Sequence, residues 1–171
     1  IRNFMIDYGL RSYELVEYIH HKLQSVQPKC ESVKIALQDG IYGTNKKTTR
    51  FLLISLERKY GKFFNKSNPD SLDLYDEKGN LRWSIEHIIP QGLHISDQWK
   101  DVLSPTERDR AIEIQSQNVH KIGNLTLTPY NSEMGNKSFV DKKNYTIDGK
   151  PVGLSLGLYL NETINKDKDV F

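Results

Sequence analysis

Apolar positions in the first third of the chain recur at helical spacing. Leu15, Val16, Ile19, Leu23 and Val26 form one stripe behind Ser12, which predicts a helix from a Ser12 cap to about Val26, ended by Pro28. A shorter helix is predicted from Glu31 to Gln38, stopping at Asp39-Gly40, with Gly43-Thr44-Asn45 as a loop. Phe51, Leu52, Leu53, Ile54 and Leu56 then crowd into a third helix, predicted from near Lys47 to Tyr60, closed by Gly61 and well buried. After Ser67-Asn68-Pro69-Asp70 the period shortens. Ser71 to Tyr75 alternates as a strand does, Asp76 to Asn80 reads as a turn, and Leu81 to Ile89 reads as a second strand halted by Pro90. Ser104-Pro105-Thr106-Glu107 has the form of a helix start, with the helix running to about Asn118. Leu125 to Thr128 is a short strand stopped by Pro129. Asn131 opens a helix to about Lys143, Asp148-Gly149 is a turn, and Ser155 to Ile164 is a last helix.

These elements predict an α+β fold, with a mostly helical lobe over residues 1–66 and a smaller mixed core over residues 67–171. A chain of 171 residues suits that division. No apolar run approaches the ~20 residues of a membrane span. The single cysteine, Cys30, excludes an internal disulfide and a paired-cysteine zinc site, and fits the reducing cytoplasm. The chain opens on Ile1 rather than Met, which predicts a piece of a longer protein. Net charge is only +2, yet residues 45–66 carry seven basic residues (Lys46, Lys47, Arg50, Arg58, Lys59, Lys62 and Lys66) against Glu57 alone. That asymmetry is the footprint of a phosphate-facing patch, although a solvated basic helix face would look the same.

Candidate chemistry lies in two stretches. Trp83-Ser84-Ile85-Glu86-His87-Ile88-Ile89-Pro90-Gln91 places an acid and a histidine side by side at the end of an apolar strand. A histidine takes a proton from water near neutral pH, and a carboxylate is a hard oxygen ligand for Mg²⁺. Neighbours on a strand point to opposite faces, so a twist at the strand end would be needed to aim both at one place. The second stretch, His120 to Thr128, leads through Pro129 into Asn131-Ser132-Glu133-Met134-Gly135-Asn136-Lys137-Ser138-Phe139. Simple alternatives stand beside each residue. Glu86 could pair with Arg82 at the surface, Asn124 could be a turn residue after Gly123, and Asn131 could cap its own helix. His120 reads equally as a phosphate contact or as an ordinary loop histidine, and Trp83 and Trp99 read as core.

In sequence order these segments resemble the HNH nuclease domain at the C-terminus of GmrSD-type, modification-dependent restriction endonucleases. The resemblance is carried by Ile85-Glu86-His87-Ile88 with Pro90-Gln91, then Gly123-Asn124-Leu125-Thr126-Leu127, then Asn131-Ser132 with Asn136, Phe139 and Lys142. A weaker likeness reaches back to Thr49-Arg50-Phe51-Leu52-Leu53 and Leu56-Glu57. It implies a ββα-metal finger inside the helical surround, cutting phosphodiester bonds of DNA in defence against foreign or modified DNA. His87 would be the general base and Asn124 the brace that orients it. Glu86 and Asn131 would hold Mg²⁺ or Mn²⁺, and Lys142, Lys137, His120, Lys47, Arg50 and Lys62 would touch DNA. Lys142, eleven positions after Asn131, would share its helix face. No structural zinc is expected, because the paired cysteines of many HNH proteins are missing. The resemblance also implies an NTP-hydrolysing ParB-like module elsewhere on the parent chain or on a partner, and further helix after Phe171. A non-cleaving nucleic-acid-binding module and a pure interaction domain are the competing readings.

Overall fold

A computed structural model describes residue 9 and residues 11–166. Its contacts divide the chain into two compact units, residues 1–36 and 37–171. The smaller unit contains helix α1 (Ser12–Val26) and the start of α2 (Cys30–Gln38). Arg11 rather than Ser12 takes the cap position of α1, and its N–H donates to the Glu14 carboxylate at 2.6 Å.

The larger unit opens with a one-turn helix, α3 (Ile41–Thr44), where only a loop was expected. Asn45 then caps α4 (Lys46–Tyr60), its side chain accepting from the Thr48 N–H at 2.9 Å. This basic helix, expected in a lobe ending at residue 66, packs within the larger unit. Leu53 and Ile54 are buried against Leu72, Trp83, Leu125, Leu127 and Leu158, with Phe63 and Phe64 at the margin. A second cluster joins Ile88, Ile89, Ile95, Trp99, Ala111 and Leu154. Its anchor is Trp99, fully buried, with the indole N–H donating to the Lys137 carbonyl at 2.9 Å.

Between the clusters runs one antiparallel strand pair, β1 (Ser84–His87) with β2 (Leu125–Thr128). Its register is Ser84 to Thr128, Ile85 to Leu127, Glu86 to Thr126 and His87 to Leu125. Directly opposed residues share a face. Ile85 and His87 therefore lie on the α4 side with Leu127 and Leu125, and Glu86 lies on the reverse side with Thr126.

Several expected elements form differently. The strand expected over Ser71 to Tyr75 is a turn, because Leu72 N–H bonds the Asp70 carboxylate and Leu74 N–H bonds the Ser71 carbonyl; one isolated bridge joins Tyr75 to Leu81. β1 ends at His87 because the next amides, of Ile88 and Ile89, are taken by the Asn124 carbonyl and side chain. The helix start read at Ser104 is a helix end: Ser104 closes α5 (Asp97–Leu103), which Ser96 caps, and α6 begins only at Arg108 and runs to Asn118. The helix expected from Asn131 to Lys143 is broken into α7 (Asn131–Met134) and α8 (Phe139–Lys143). The break is at Gly135, whose φ of 33° and ψ of −117° fit no helix. Asp148-Gly149 does turn a small hairpin, β3 (Thr146–Ile147) with β4 (Lys150–Pro151). The last expected helix is two 3-10 turns, Leu154–Leu156 and Tyr159–Asn161, followed by α9 (Glu162–Lys166). The architecture is thus α+β, mostly helical, with two small antiparallel strand pairs.

One buried charge in α4 gives a testable stability signature. Glu57 is 2% exposed; its Oε2 accepts from the Leu160 N–H at 3.2 Å and its Oε1 has no partner. Burial pushes its pKa above the usual carboxylate range, partly opposed by the Tyr159 and Leu160 amides. A folded-state pKa above the unfolded one means that this group's contribution is fully present below the unfolded value of about 4.5 and is lost as pH rises through the folded value. Glu57→Gln keeps the acceptor and removes the charge. Urea unfolding at pH 8 and pH 4 is expected to show the variant gaining on the wild type at pH 8 relative to pH 4. An equal difference at both pH values refutes the assignment.

Candidate active site at the end of strand β1

His87 sits at the last ladder position of β1, 5% exposed. Three rings meet there. The Tyr42 ring stands edge-on to His87 with centroids 4.6 Å apart and stacks on His120 at 5.4 Å, and His87 and His120 are edge-on at 5.6 Å. His120 reaches this cluster because its carbonyl accepts the Tyr42 N–H at 3.4 Å, tying the loop before β2 to α3. His87 Nε2 and His120 Nδ1 are buried without hydrogen-bond partners. Burial first, then the fields of His120, Lys142 and Lys46, lowers the His87 pKa to about 4. At neutral pH its imidazole is uncharged and keeps an unspent nitrogen, the state in which a histidine can accept a proton.

Asn124 holds the backbone that follows the histidine. Its Oδ1 accepts from Ile89 N–H at 2.7 Å, and its amide donates to the Ile89 carbonyl at 3.1 Å and the Val119 carbonyl at 3.0 Å. It is buried at 6% exposure, so this is a brace between two loops rather than a simple turn residue. Asn131 does not cap α7; Tyr130 takes that position, and the Asn131 amide donates to the Ile85 carbonyl at 3.0 Å.

Glu86 faces away from His87, and no twist brings the two side chains together. It is 2% exposed and pairs with Lys142, not with Arg82. The Lys142 ammonium donates to Glu86 Oε1 at 2.5 Å and to the His87 carbonyl at 2.6 Å. Burial pushes the Glu86 pKa up while Lys142 opposes it, and burial pushes the Lys142 pKa down while Glu86 opposes it. Lys142 is 0% exposed, which corrects its expected place as a phosphate contact on the Asn131 helix face. The two residues lie on different helices, and burial among Glu86 and the His87 carbonyl takes its ammonium away from solvent.

The basic stretch also separates. Arg50, half-buried, donates to the carbonyls of Trp83 and Leu72 and lines the same groove as Lys46 and Lys47. Arg58 is paired with Asp70 and Asp73. Lys62 follows the C-terminal end of α4, roughly 22 Å along the helix axis from Lys47 at 1.5 Å per residue. Lys137 is exposed and sits over the Tyr145 ring. Lys46 and Lys47, at the N-terminal end of α4, remain exposed. They line an open groove of about 320 Å³ with Tyr42, Ser84, Ile85 and Asn131. Tyr42 thus joins the groove to His87, and Lys46 lies 5.1 Å from its ring centroid. Tyr42 carried no sequence signal, and Lys46 only its place in the basic run of residues 45–66. They stand some 40 residues before His87, and only the packing of α3 and α4 on β1 places them there.

Among the described residues no three His, Cys, Asp or Glu side chains form a metal-binding group. The donors expected for a divalent cation are nonetheless hard oxygens, the Glu86 carboxylate and the Asn131 amide oxygen. One of them, Glu86, is already neutralised by the Lys142 ammonium. Across the ladder from Glu86, the Thr126 hydroxyl is buried without a partner. Glu86 lies on the reverse face of β1 with Lys142 while Asn131 lines the groove beside Ile85, so the two donors do not fit one divalent cation. Among the described residues, no helix is long and apolar enough to cross a membrane.

Compared with known families, residues 31–170 match the family model described as GmrSD restriction endonucleases, C-terminal domain. Neither a curated protein nor a solved structure matches the chain.

Proposed function

The chain belongs to the family of GmrSD restriction endonuclease C-terminal domains, and from that membership we propose that it is an HNH-type nuclease in which His87 activates water against a DNA phosphodiester. The observation that carries this reading is the buried, neutral imidazole of His87, with an unspent nitrogen, joined through Tyr42 to an open basic groove. The reading draws support from the antiparallel pairing of β1 with β2 and from α7 directly after β2, with α5 and α6 inserted between the strands.

In this scheme His87 takes a proton from the attacking water as its oxygen bonds to phosphorus, and the bond from phosphorus to the departing sugar oxygen breaks on the opposite side. Asn124 keeps the chain after His87 in place, so the ring does not drift with the loop. Tyr42 and His120 wall the ring and exclude bulk water from it. Lys46 and Lys47 hold the phosphate backbone in the groove. The family implies a divalent cation, Mg²⁺ or Mn²⁺, but Glu86 and Asn131 do not converge to hold one, and the scheme rests on His87 and the basic groove. The substrate is DNA, met in restriction, and an NTP-hydrolysing ParB-like module on the parent chain or on a partner is the proposed companion.

Supercoiled plasmid tests the reading. Nicking or linearisation with Mg²⁺ or Mn²⁺, abolished by EDTA, is the expected result. Salt-sensitive binding with no cutting under any cation would instead make the domain a binding module. The groove has its own test. Neutralising Lys46 and Lys47 together to Gln is expected to flatten the slope of log affinity against log salt by about 2, at roughly 0.9 per phosphate contact on duplex DNA. Lys62→Gln is expected to leave it unchanged. The reverse pattern would move the DNA contact to the far end of α4.

A further inference from the structure

A general base has to come within hydrogen-bond reach of the water it deprotonates. The unspent nitrogen of His87, Nε2, is buried, and so is Nδ1 of His120 beside it. A nitrogen so placed cannot meet the attacking water while the Tyr42 ring stands edge-on to the imidazole at 4.6 Å and His120 at 5.6 Å. The cover is lightly held. Tyr42 is carried by α3, a single turn between Gly40, at φ of 81°, and Asn45. Gly40 and Gly43 bring no side chain against His120. Its Cβ and Cδ2 lie 3.3 and 3.5 Å from where the two Cβ atoms would stand, so the turn closes directly on that imidazole. The backbone tie from the Tyr42 N–H to the His120 carbonyl is long for a hydrogen bond, 3.4 Å. A further hold comes from Lys46, whose ammonium lies 5.1 Å from the Tyr42 ring centroid. Lys46 is itself exposed and lines the groove.

We propose that Tyr42 is an autoinhibitory cover over His87, held down by Lys46 and released when a phosphate of the bound strand takes the Lys46 ammonium. This rests on the reading of His87 as the base. A phosphate oxygen carries charge and a ring face only a quadrupole, so the ammonium leaves the ring for the phosphate. Filling the groove therefore removes a contact that exists only in the closed state, and the population shifts toward one in which Tyr42 stands clear of Nε2. Tyr42 and Lys46 lie on either side of Asn45, whose side chain caps α4. The lysine thus stays on its helix while the turn before it moves. One residue senses the substrate and unlocks the base, so water is activated only where a phosphate is already in place.

The test is the rate at which diethyl pyrocarbonate modifies each histidine of the full chain at pH 8, where ordinary imidazoles are neutral, mapped by mass spectrometry. The exposed His20, His21 and His94 are internal references. Without DNA, His87 is expected to react at least about tenfold more slowly than these, since a minor open state is populated at roughly 0.1–10%. Equal rates would mean that nothing covers it and overturn the proposal. Lys46→Gln is expected to speed His87 alone by about two- to fivefold, the worth of one exposed cation–π contact. Lys46→Arg, which returns a cation to the ring, is expected to stay near the wild-type rate. Tyr42→Ala is expected to speed His87 further and to make Lys46→Gln without additional effect; a Lys46→Gln gain that survives in Tyr42→Ala overturns the lock. Should Tyr42→Ala not fold, Lys46→Gln decides, because an unchanged His87 rate there refutes the hold. Inorganic pyrophosphate at constant ionic strength offers the phosphate charge without a strand to cover the site. It is expected to speed His87 in the wild type and not in Lys46→Gln, and no change in the wild type overturns the release. None of these readouts needs cleavage. Failure of the nuclease reading shows instead as plasmid left intact with every cation.

Discussion

Replacing His87 with Ala is expected to lower the rate of plasmid nicking by about 10²–10⁴-fold, the range that a positioned proton acceptor contributes. The expectation rests on what the ring has and lacks. It is enclosed by Tyr42 and His120, it stays uncharged at neutral pH, and its Nε2 makes no hydrogen bond. A histidine buried only for packing would ordinarily spend both nitrogens, because an unpaired polar atom in the interior is costly. Binding of DNA is expected to survive the substitution with an unchanged salt slope. The neutral ring adds no charge to the groove, and Lys46 and Lys47 are untouched. A variant that binds and cuts as well as the wild type would remove His87 from the chemistry. One that loses binding with cutting would place the residue in the groove's architecture instead.

The second large effect belongs to Asn124. Asn124→Ala is expected to destabilise the fold by roughly 2–4 kcal/mol, as three hydrogen bonds of about 1 kcal/mol each disappear and their backbone partners stay buried. Asn124→Asp makes the sharper comparison. The carboxylate keeps the acceptor for Ile89 N–H but turns an oxygen toward the carbonyls of Ile89 and Val119, which the amide now satisfies. Aspartate is therefore expected to be no better than alanine, although it is nearly isosteric with the native residue. Denaturant unfolding at pH 7 measures both. A cost below about 0.5 kcal/mol for either, the size of an ordinary surface change, would show that the loop holds without its brace. Loss of activity in these variants should follow the displacement of the chain after His87 and appear even under conditions where the fold persists.

Some of this was legible because it is local. Helices α1, α2 and α4 follow from apolar spacing and from the breakers Pro28 and Gly61, and β2 follows from alternation between Asn124 and Pro129. The misplaced elements share a cause. Ser104-Pro105-Thr106-Glu107 carries a helix-start signature, but Ser104 is already used to close α5. Ser71 to Tyr75 alternates like a strand, yet Asp70 and Ser71 claim its amides for a turn. Nothing within either window reveals the competing partner. At the site, Glu86, His87, Asn124 and Asn131 were visible as a spaced set, while Lys142 looked like a surface cation and is an interior one.

By itself, then, the order of residues determined that α1, α2 and α4 would be helical, that a strand would carry the acid and the histidine, and that an asparagine would stand before the second strand. Those are consequences of period, capping and turn chemistry, which act over a few residues. The tertiary structure alone decided which face each site residue takes, that Tyr42 and His120 enclose His87, and that Lys142 closes on Glu86. Burial and charge compensation set these outcomes, and both depend on partners brought from 33 to 56 residues away by the packing of α3, α4 and α8 around β1.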